Sequence, residues 1–225
     1  GLYSANAILA ALLAKAHTGT GQHIDIALLD VQVASLANQG MNYLATGKVP
    51  ERLGNGHPNI VPYQTFATQD GSLILAIGND PQFKKFCQAA QCHELASNTL
   101  FVTNQQRVEN RAALIPILAS IIAKHSTDYW VATLEAIAVP CGPVNTLEQV
   151  FNHPQIQHRN MVRQIPDEEG LLINTIASPI NLSKTPLQYK HAAPNIGQHS
   201  EQVLKQFLHY DKEEIAKLLK NEIVS

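Results

Sequence analysis

The sequence predicts an α/β chain, on three observations. Residues 1–45 read as an apolar helix, a buried strand and an amphipathic helix; residues 61–182 read as a separate small α+β unit opened by a β-hairpin; and two amphipathic helices close the chain after a linker. Alternating periods of 3.6 and 2 in one chain are the mark of mixed architecture.

Composition narrows the class. The chain has 225 residues, 45% hydrophobic and 15% charged, with a formal net charge of -2. That length holds one large domain or two small ones with a substantial core, and the balance excludes a disordered chain. Charges of both signs are interspersed without a basic stripe, so no nucleic-acid partner is expected. Its apolar runs are too short and too often interrupted to span a bilayer, so no membrane partner is expected either. Three cysteines, Cys87, Cys92 and Cys141, are odd in number and lack metal-site spacing, which points to a reducing cytoplasm.

The first element is GLYSANAILAALLAKA, residues 1–16, helical by propensity and apolar nearly all round. Such a helix belongs inside a larger protein, and the expectation is a fragment whose upstream part covers it. A signal peptide is a poor rival, since no basic n-region precedes the apolar run. Thr18-Gly19-Thr20-Gly21 ends the helix with a glycine C-cap. His23 to Leu29 reads as a buried strand. Asp30 is then placed to cap a helix from Val31 to Ala45, whose asparagines and Met41 read as packing or interface residues.

Arg52 to Gly71, RLGNGHPNIVPYQTFATQDG, is the stretch that the rest is built around. Gly54-Asn55-Gly56-His57-Pro58 cannot continue a helix or a central strand. Glycine there lets backbone N–H groups approach an anion, and His57 adds a side-chain donor. Tyr63–Thr68 and Leu73–Gly78 read as a hairpin, with Gly71 supplying a positive φ in the turn. A glycine loop tethered to a sheet edge is a common construction for lids over active sites; the plainer reading is a Gly/Pro connector.

Further on, Asp80 as N-cap with Pro81 behind it starts a helix whose core face is Phe83, Phe86, Cys87 and Ala90. Thr103 and Gln106 form a capping box for a long helix to Lys124, which Pro116 should kink or divide. Ser126 or Thr127 caps a helix carrying Trp130 and Leu134. Pro140-Cys141-Gly142-Pro143 reads as a structural turn, no base being visible to make Cys141 a nucleophile. His153 and His158 lack a third ligand at metal spacing, so no metal is expected. Met161–Ile165 and Leu171–Ala177 read as a second hairpin around an acidic loop. Residues 183–197 are a linker, and Asp211 with Glu214 caps the last helix.

Five stretches in order, LLAKAHTGTGQHIDIALLD, GNGHPNIVPYQTFATQDGSLILAIGND, VPCGPVNT, HPQIQHRNM and PNIGQHSEQVLKQFL, together resemble the class III CoA-transferases, the formyl-CoA transferase and carnitine CoA-transferase type. LGNGHPNIVPYQTF is most similar to the enzymes that move CoA between succinate and glutarate or a similar dicarboxylate. The resemblance implies a Rossmann-like large domain, a small α+β domain and an interlocked homodimer. Residues 1–60 and 183–225 would then be pieces of the large domain, with residues 61–182 the small one. It implies acyl transfer through an aspartate. That carboxylate attacks the acyl-CoA thioester to give a mixed anhydride, which the acceptor acid and CoA resolve. It also implies that Gly54, Asn55, Gly56 and His57 form the glycine loop over the intermediate, with His57 a candidate partner for a second carboxylate. Acyl-CoA is substrate, and no metal is implied.

The family's nucleophile is expected just before Gly1. No catalytic residue is therefore assigned within this chain, and the chain is expected to be inactive alone. Asp25 and Asp30 are not its replacements, one reading as strand and the other as cap. Two alternatives remain open: an α-methylacyl-CoA racemase on the same fold, and a non-catalytic dimerisation or interaction module without CoA affinity.

Overall fold

The computed structural model describes residues 1–224. Helix α1 spans Leu2–Thr18 and stops at Gly19, whose φ of 75° lets its N–H bond to Lys15 O. The predicted glycine stop is thus present. None of its residues is buried; Leu2 is 84% exposed, and Leu9, Leu12 and Leu13 face solvent with it. The strand expected at His23–Leu29 does not form, since residues 19–27 carry no regular structure and are exposed. Propensity alone does not make a strand; it needs a ladder partner, and none of the described strands pairs there.

Helix α2, Leu28–Ala34, starts from Ala27, so Asp30 lies in its first turn and is not its cap. One helix over 31–45 was the expectation, but the chain breaks after Ala34 and α3 occupies Ala37–Thr46, ended by Gly47 at φ 69°. The break has a local cause. Ser35 Oγ donates to Val31 O at 2.7 Å, and Ala37 takes a positive φ of 48°; a side chain competing for a helical carbonyl loosens the helix there.

Three antiparallel strands, β1 (Tyr63–Ala67), β2 (Ser72–Ala76) and β3 (Cys141–Pro143), form a sheet in the order β1-β2-β3. Tyr63 faces Ala76, and Leu73 faces Pro143. Cys141 therefore belongs to a short strand, where a turn was expected. The β1–β2 turn is also made differently. Gly71 is not at positive φ; a Cβ there would meet Thr127 Oγ1 at 3.1 Å, so the glycine serves close approach.

Helix α4, Asp80–Ala89, is capped by Asn79, whose side chain accepts from Gln82 N. The cap thus lies one residue earlier than expected, which frees Asp80 for an ion pair. After the short α5 (His93–Ser97), the capping box of Thr103 and Gln106 opens α6, Asn104–Glu109, as predicted. The long helix divides at Asn110, with α7 running over Arg111–Ile122 and Pro116 inside it. Asn110 Nδ2 donates to the carbonyls of Leu100 and Gln106, the latter also accepting from Asn110 N. Ser126 caps α8, Thr127–Glu135.

The core lies between this sheet and these helices. Leu73 and Leu75 of β2 meet Phe83 and Phe86 of α4, Leu114, Leu118 and Ile122 of α7, and Trp130 and Leu134 of α8, all but sealed from solvent. Each large side chain so buried contributes roughly 1.5–3 kcal/mol. Trp130 Nε1 donates to Ile122 O at 2.7 Å, so its one polar atom is satisfied.

Contacts divide the chain into two compact units, Gly1–Val144 and the remainder from Asn145. The second unit has α9 (Leu147–Asn152), α10 (Pro154–His158), a hairpin of β4 (Val162–Pro166) and β5 (Leu172–Ile176), then α11 (Ser200–Phe207) and α12 (Lys212–Lys220). The expected hairpin, linker and Asp211/Glu214 capping box are all present. No helix of the described residues is long and apolar enough to cross a membrane.

Candidate functional site

The sheet order leaves one edge of β1 without a strand, and the glycine loop lies along it. Asn55 Oδ1 accepts from Thr65 N at 3.1 Å, and His57 N donates to Tyr63 O at 2.9 Å. Two polar groups of an open strand edge are satisfied in this way, and the loop is given a fixed floor. The loop turns tightly. Gly56 N donates to Leu53 O at 2.9 Å, and Gly54 takes φ 60°. A Cβ on Gly56 would lie 3.1 Å from Leu53 O and 3.4 Å from Gln64 Oε1. Both positions therefore favour glycine, Gly54 for its φ and Gly56 for its space. Among the described residues, the N–H groups of Gly54 and Asn55 have no partner within the chain. Successive free N–H groups of this kind suit an anion or a developing oxyanion.

Residues that the sequence did not single out rivet the loop's C-terminal base. Arg111 Nη2 donates to Pro58 O at 2.6 Å and Nη1 to His57 O at 3.3 Å. Asn104 Nδ2 donates to Asn59 O at 2.8 Å, while its Oδ1 accepts from Val61 N at 3.1 Å. Arg107, 0% exposed, donates Nε to Val61 O at 2.7 Å, Nη1 to Phe101 O at 3.0 Å and Nη2 to Asp80 Oδ1 at 2.9 Å. Its guanidinium also lies over the Phe83 ring, 4.5 Å from the centroid. Burial pulls its pKa below the ordinary guanidinium value and Asp80 opposes that shift; a guanidinium in such a pair stays charged.

His57 is held on several sides. Its ring stacks on Tyr63 at 5.3 Å with 15° between planes, and Nδ1 accepts from Asn59 N at 3.1 Å. Nε2 lies 3.5 Å from Asn38 Nδ2, and Asn42 pairs with Asn59. The asparagines of α3, read from sequence as packing residues, thus reach the loop. Asn38 and Asn42 are spaced i, i+4, one face of a helix, and that spacing was the available signal.

Other candidates lie elsewhere. Cys141 is half-buried, and burial, with Glu135 adding to it, raises its thiol pKa, the opposite of an activated nucleophile. Cys87 and Cys92 are both buried, and the hydrogen bond between them together with burial pushes the Cys87 thiol up. His153 caps α10 through Nδ1, accepting from Gln155 N. Asp25 lies in the exposed irregular segment, and Asp30 in the first turn of α2. Among the described residues no group of three or more His, Cys, Asp or Glu is placed to hold a metal ion.

Comparison with known proteins gives one consistent picture. Residues 1–200 match CoA-transferase family III. The chain is 44% identical over 204 residues to succinate–glutarate CoA-transferase of Agrobacterium fabrum, covering 91% of this chain and 51% of that protein. It is 37% identical over 224 residues to succinyl-CoA:glutarate CoA-transferase of Homo sapiens, covering 100% of this chain and 51% of that one. The crystal structure of a CAIB/BAIF family protein from Brucella suis superposes with a TM-score of 0.72 at 44% identity, over 90% of this chain and 52% of that chain. The chain spans about half the length of the curated relatives it matches.

Proposed function

We propose that this chain, which belongs to CoA-transferase family III, supplies the glycine loop of an enzyme that moves CoA between an acyl-CoA thioester and a dicarboxylic acid of the succinate–glutarate size. The observation that carries the reading is the loop itself. Free N–H groups at Gly54 and Asn55 stand beside a fixed His57, on a floor made by the edge of β1. The 44% identity to a succinate–glutarate CoA-transferase supports the substrate class.

In the proposed chemistry an aspartyl carboxylate, supplied from outside these residues, attacks the thioester carbonyl carbon. The C–S bond breaks, CoA leaves as the thiolate, and the acyl group stays on the carboxylate as a mixed anhydride. The acceptor carboxylate then attacks the aspartyl carbonyl and displaces the donor acid as its carboxylate, giving a second mixed anhydride. The CoA thiolate attacks the acceptor's acyl carbon in it, so that CoA ends on the acceptor and the aspartate leaves regenerated. Donors at Gly54 and Asn55 would stabilise the oxyanion of each addition, and the loop would keep water from the anhydride. Two carboxylates of this chain are engaged elsewhere. Asp80 is paired with Arg107, and Asp70 is bound by Thr127. Alone, the chain would be inactive. The exposed apolar face of α1 would be covered by the rest of a Rossmann-like domain in a homodimer, with acyl-CoA and no metal at the site.

The test is to express the complete reading frame and to incubate it with succinyl-CoA and glutarate. The expected products are glutaryl-CoA and succinate in equal amounts, with no acyl-CoA formed when the upstream aspartate is replaced by asparagine. Deuterium exchange at the α-carbon of a branched acyl-CoA without any acceptor acid would instead indicate a racemase. Self-association with neither activity would indicate an interaction module.

A further inference from the structure

Asn59 stands where three elements meet. Its side chain exchanges two hydrogen bonds with Asn42 of α3, Nδ2 to Oδ1 at 3.1 Å in each direction. Its carbonyl is held by Asn104 Nδ2 at 2.8 Å. With side chain and carbonyl both fixed, its backbone N–H is directed at His57 Nδ1, 3.1 Å away. A backbone N–H can only donate, so Nδ1 must accept, and a neutral ring then carries its proton on Nε2. The ring's face is packed on Tyr63, and Arg111 holds the His57 carbonyl. What is left to the imidazole is a single donor, Nε2–H. The Asn38 amide nitrogen 3.5 Å away also only donates, so it makes no hydrogen bond with that Nε2–H, which is left to seek an acceptor.

We propose that the Asn42–Asn59 amide pair is a positioning device that holds His57 as an Nε2–H donor for the distal carboxylate of a dicarboxylic acid. The physical need is clear. An imidazole free to exchange tautomers would turn a lone pair towards that carboxylate part of the time, and two acceptors repel. Fixing the tautomer removes that state, and fixing the ring plane removes the cost of ordering it on binding. A monocarboxylic acid of the same chain length has no distal oxygen to meet Nε2–H, so the device separates the two classes. Neither Asn42 nor Asn59 needs to touch the acid. The proposal rests on reading this site as that of a dicarboxylate CoA-transferase.

The experiment uses the complete reading frame labelled with 15N-histidine, titrated with glutarate and separately with butyrate while the ring nitrogens of His57 are followed by long-range 15N–1H NMR. A His57→Gln sample assigns the signals. The wild type is expected to show well-separated Nδ1 and Nε2 shifts of a fixed Nε2–H tautomer, with Nε2 moving on glutarate and not on butyrate. In Asn42→Ala the two shifts should draw together, and glutarate should bind about tenfold more weakly, the loss of one charge-assisted hydrogen bond. Butyrate should bind both proteins alike. Asn42→Ala puts a strong helix former at a helical position, so its fold should hold. Averaged shifts in the wild type, or an unchanged tautomer and glutarate affinity in Asn42→Ala, would overturn the proposal. If glutarate binds as expected while the protein transfers no CoA, the function proposed above fails and this inference stands.

Discussion

Arg107 Nη2 lies 2.9 Å from Asp80 Oδ1, in a pair where the arginine side chain is 0% exposed and the aspartate side chain 41%. The two partners are not equivalent. Asp80 without Arg107 would be rehydrated, whereas Arg107 without Asp80 remains a buried cation that still bonds two carbonyls. Removing Arg107 also strands the carbonyls of Val61 and Phe101. Arg107→Ala should therefore cost about 3–5 kcal/mol, while Asp80→Asn, discounted for exposure, should cost about 1 kcal/mol. Urea denaturation of both variants checks this. Equal losses would show that the ion pair, and not the carbonyl bonds, carries the effect.

The two loop glycines fail in different ways when substituted. Gly54→Ala forces a φ of 60° on an L-residue, at about 1 kcal/mol, with no steric contact to relieve. Gly56→Ala meets the Leu53 carbonyl at 3.1 Å, so the tight turn from Leu53 to Gly56 must open and shift the N–H groups it presents. The expectation is a small fall in melting temperature for both, and a much larger loss of activity for Gly56→Ala. Comparing melting curves with transfer rates for the pair would reveal the contrary order.

Sequence reasoning reached the elements whose signal is local. The boxes at Thr103/Gln106 and Asp211/Glu214 and the Ser126 cap are set by neighbours within four residues, and both hairpins join strands adjacent in sequence. It failed where the decisive partner lies far away. His23–Leu29 has a strand's composition but no described ladder to join. Asp80 looked like a cap because its other role, with Arg107, is 27 residues distant. At the site, glycine content marked Gly54–His57 and the i, i+4 spacing of Asn38 and Asn42 was a signal on α3, but nothing local marked Asn104 or Arg111, whose partners lie 45 and 53 residues away.

Asp70 predicts a pH dependence with a definite sign. Its Oδ1 accepts from Thr127 N at 2.8 Å and Thr127 Oγ1 at 3.0 Å, at the start of α8. The Thr127 backbone N–H is the largest cause holding its pKa below the ordinary 3.8. Because the folded value is the lower one, the stabilisation is complete above 3.8 and is lost as pH falls through the folded value. The gap in melting temperature between wild type and Asp70→Asn should be constant near neutrality and shrink below pH 3.8. A gap independent of pH would mean that the carboxylate's charge contributes nothing.

Thiol chemistry should follow burial. Cys87 and Cys92 are sealed in the core and should react with Ellman's reagent only on unfolding, whereas half-buried Cys141, its pKa raised by burial and Glu135, should react slowly in the native protein. Cys141→Ser should leave transfer activity within about twofold of wild type, since no covalent role is assigned to it. A loss on the order of 10² or more, the scale of a removed nucleophile or base, would restore Cys141 as a candidate.

Arg111 gives the sharpest test of what the loop's base is for. Its two Nη bonds to the carbonyls of His57 and Pro58 divide the segment into a clamped part from residue 57 onward and a glycine part before it that has only the β1 edge as support. A lid needs a fixed hinge. If the glycine part shields an anhydride, loosening the hinge should admit water before it affects binding of the donor. Arg111→Lys keeps the charge but loses the planar fork that reaches two carbonyls at once. Its expected signature is hydrolysis of succinyl-CoA rising severalfold relative to transfer, with the KM for succinyl-CoA little changed. Transfer and hydrolysis falling together, in constant ratio, would show that Arg111 serves stability alone and that the barrier to water lies elsewhere.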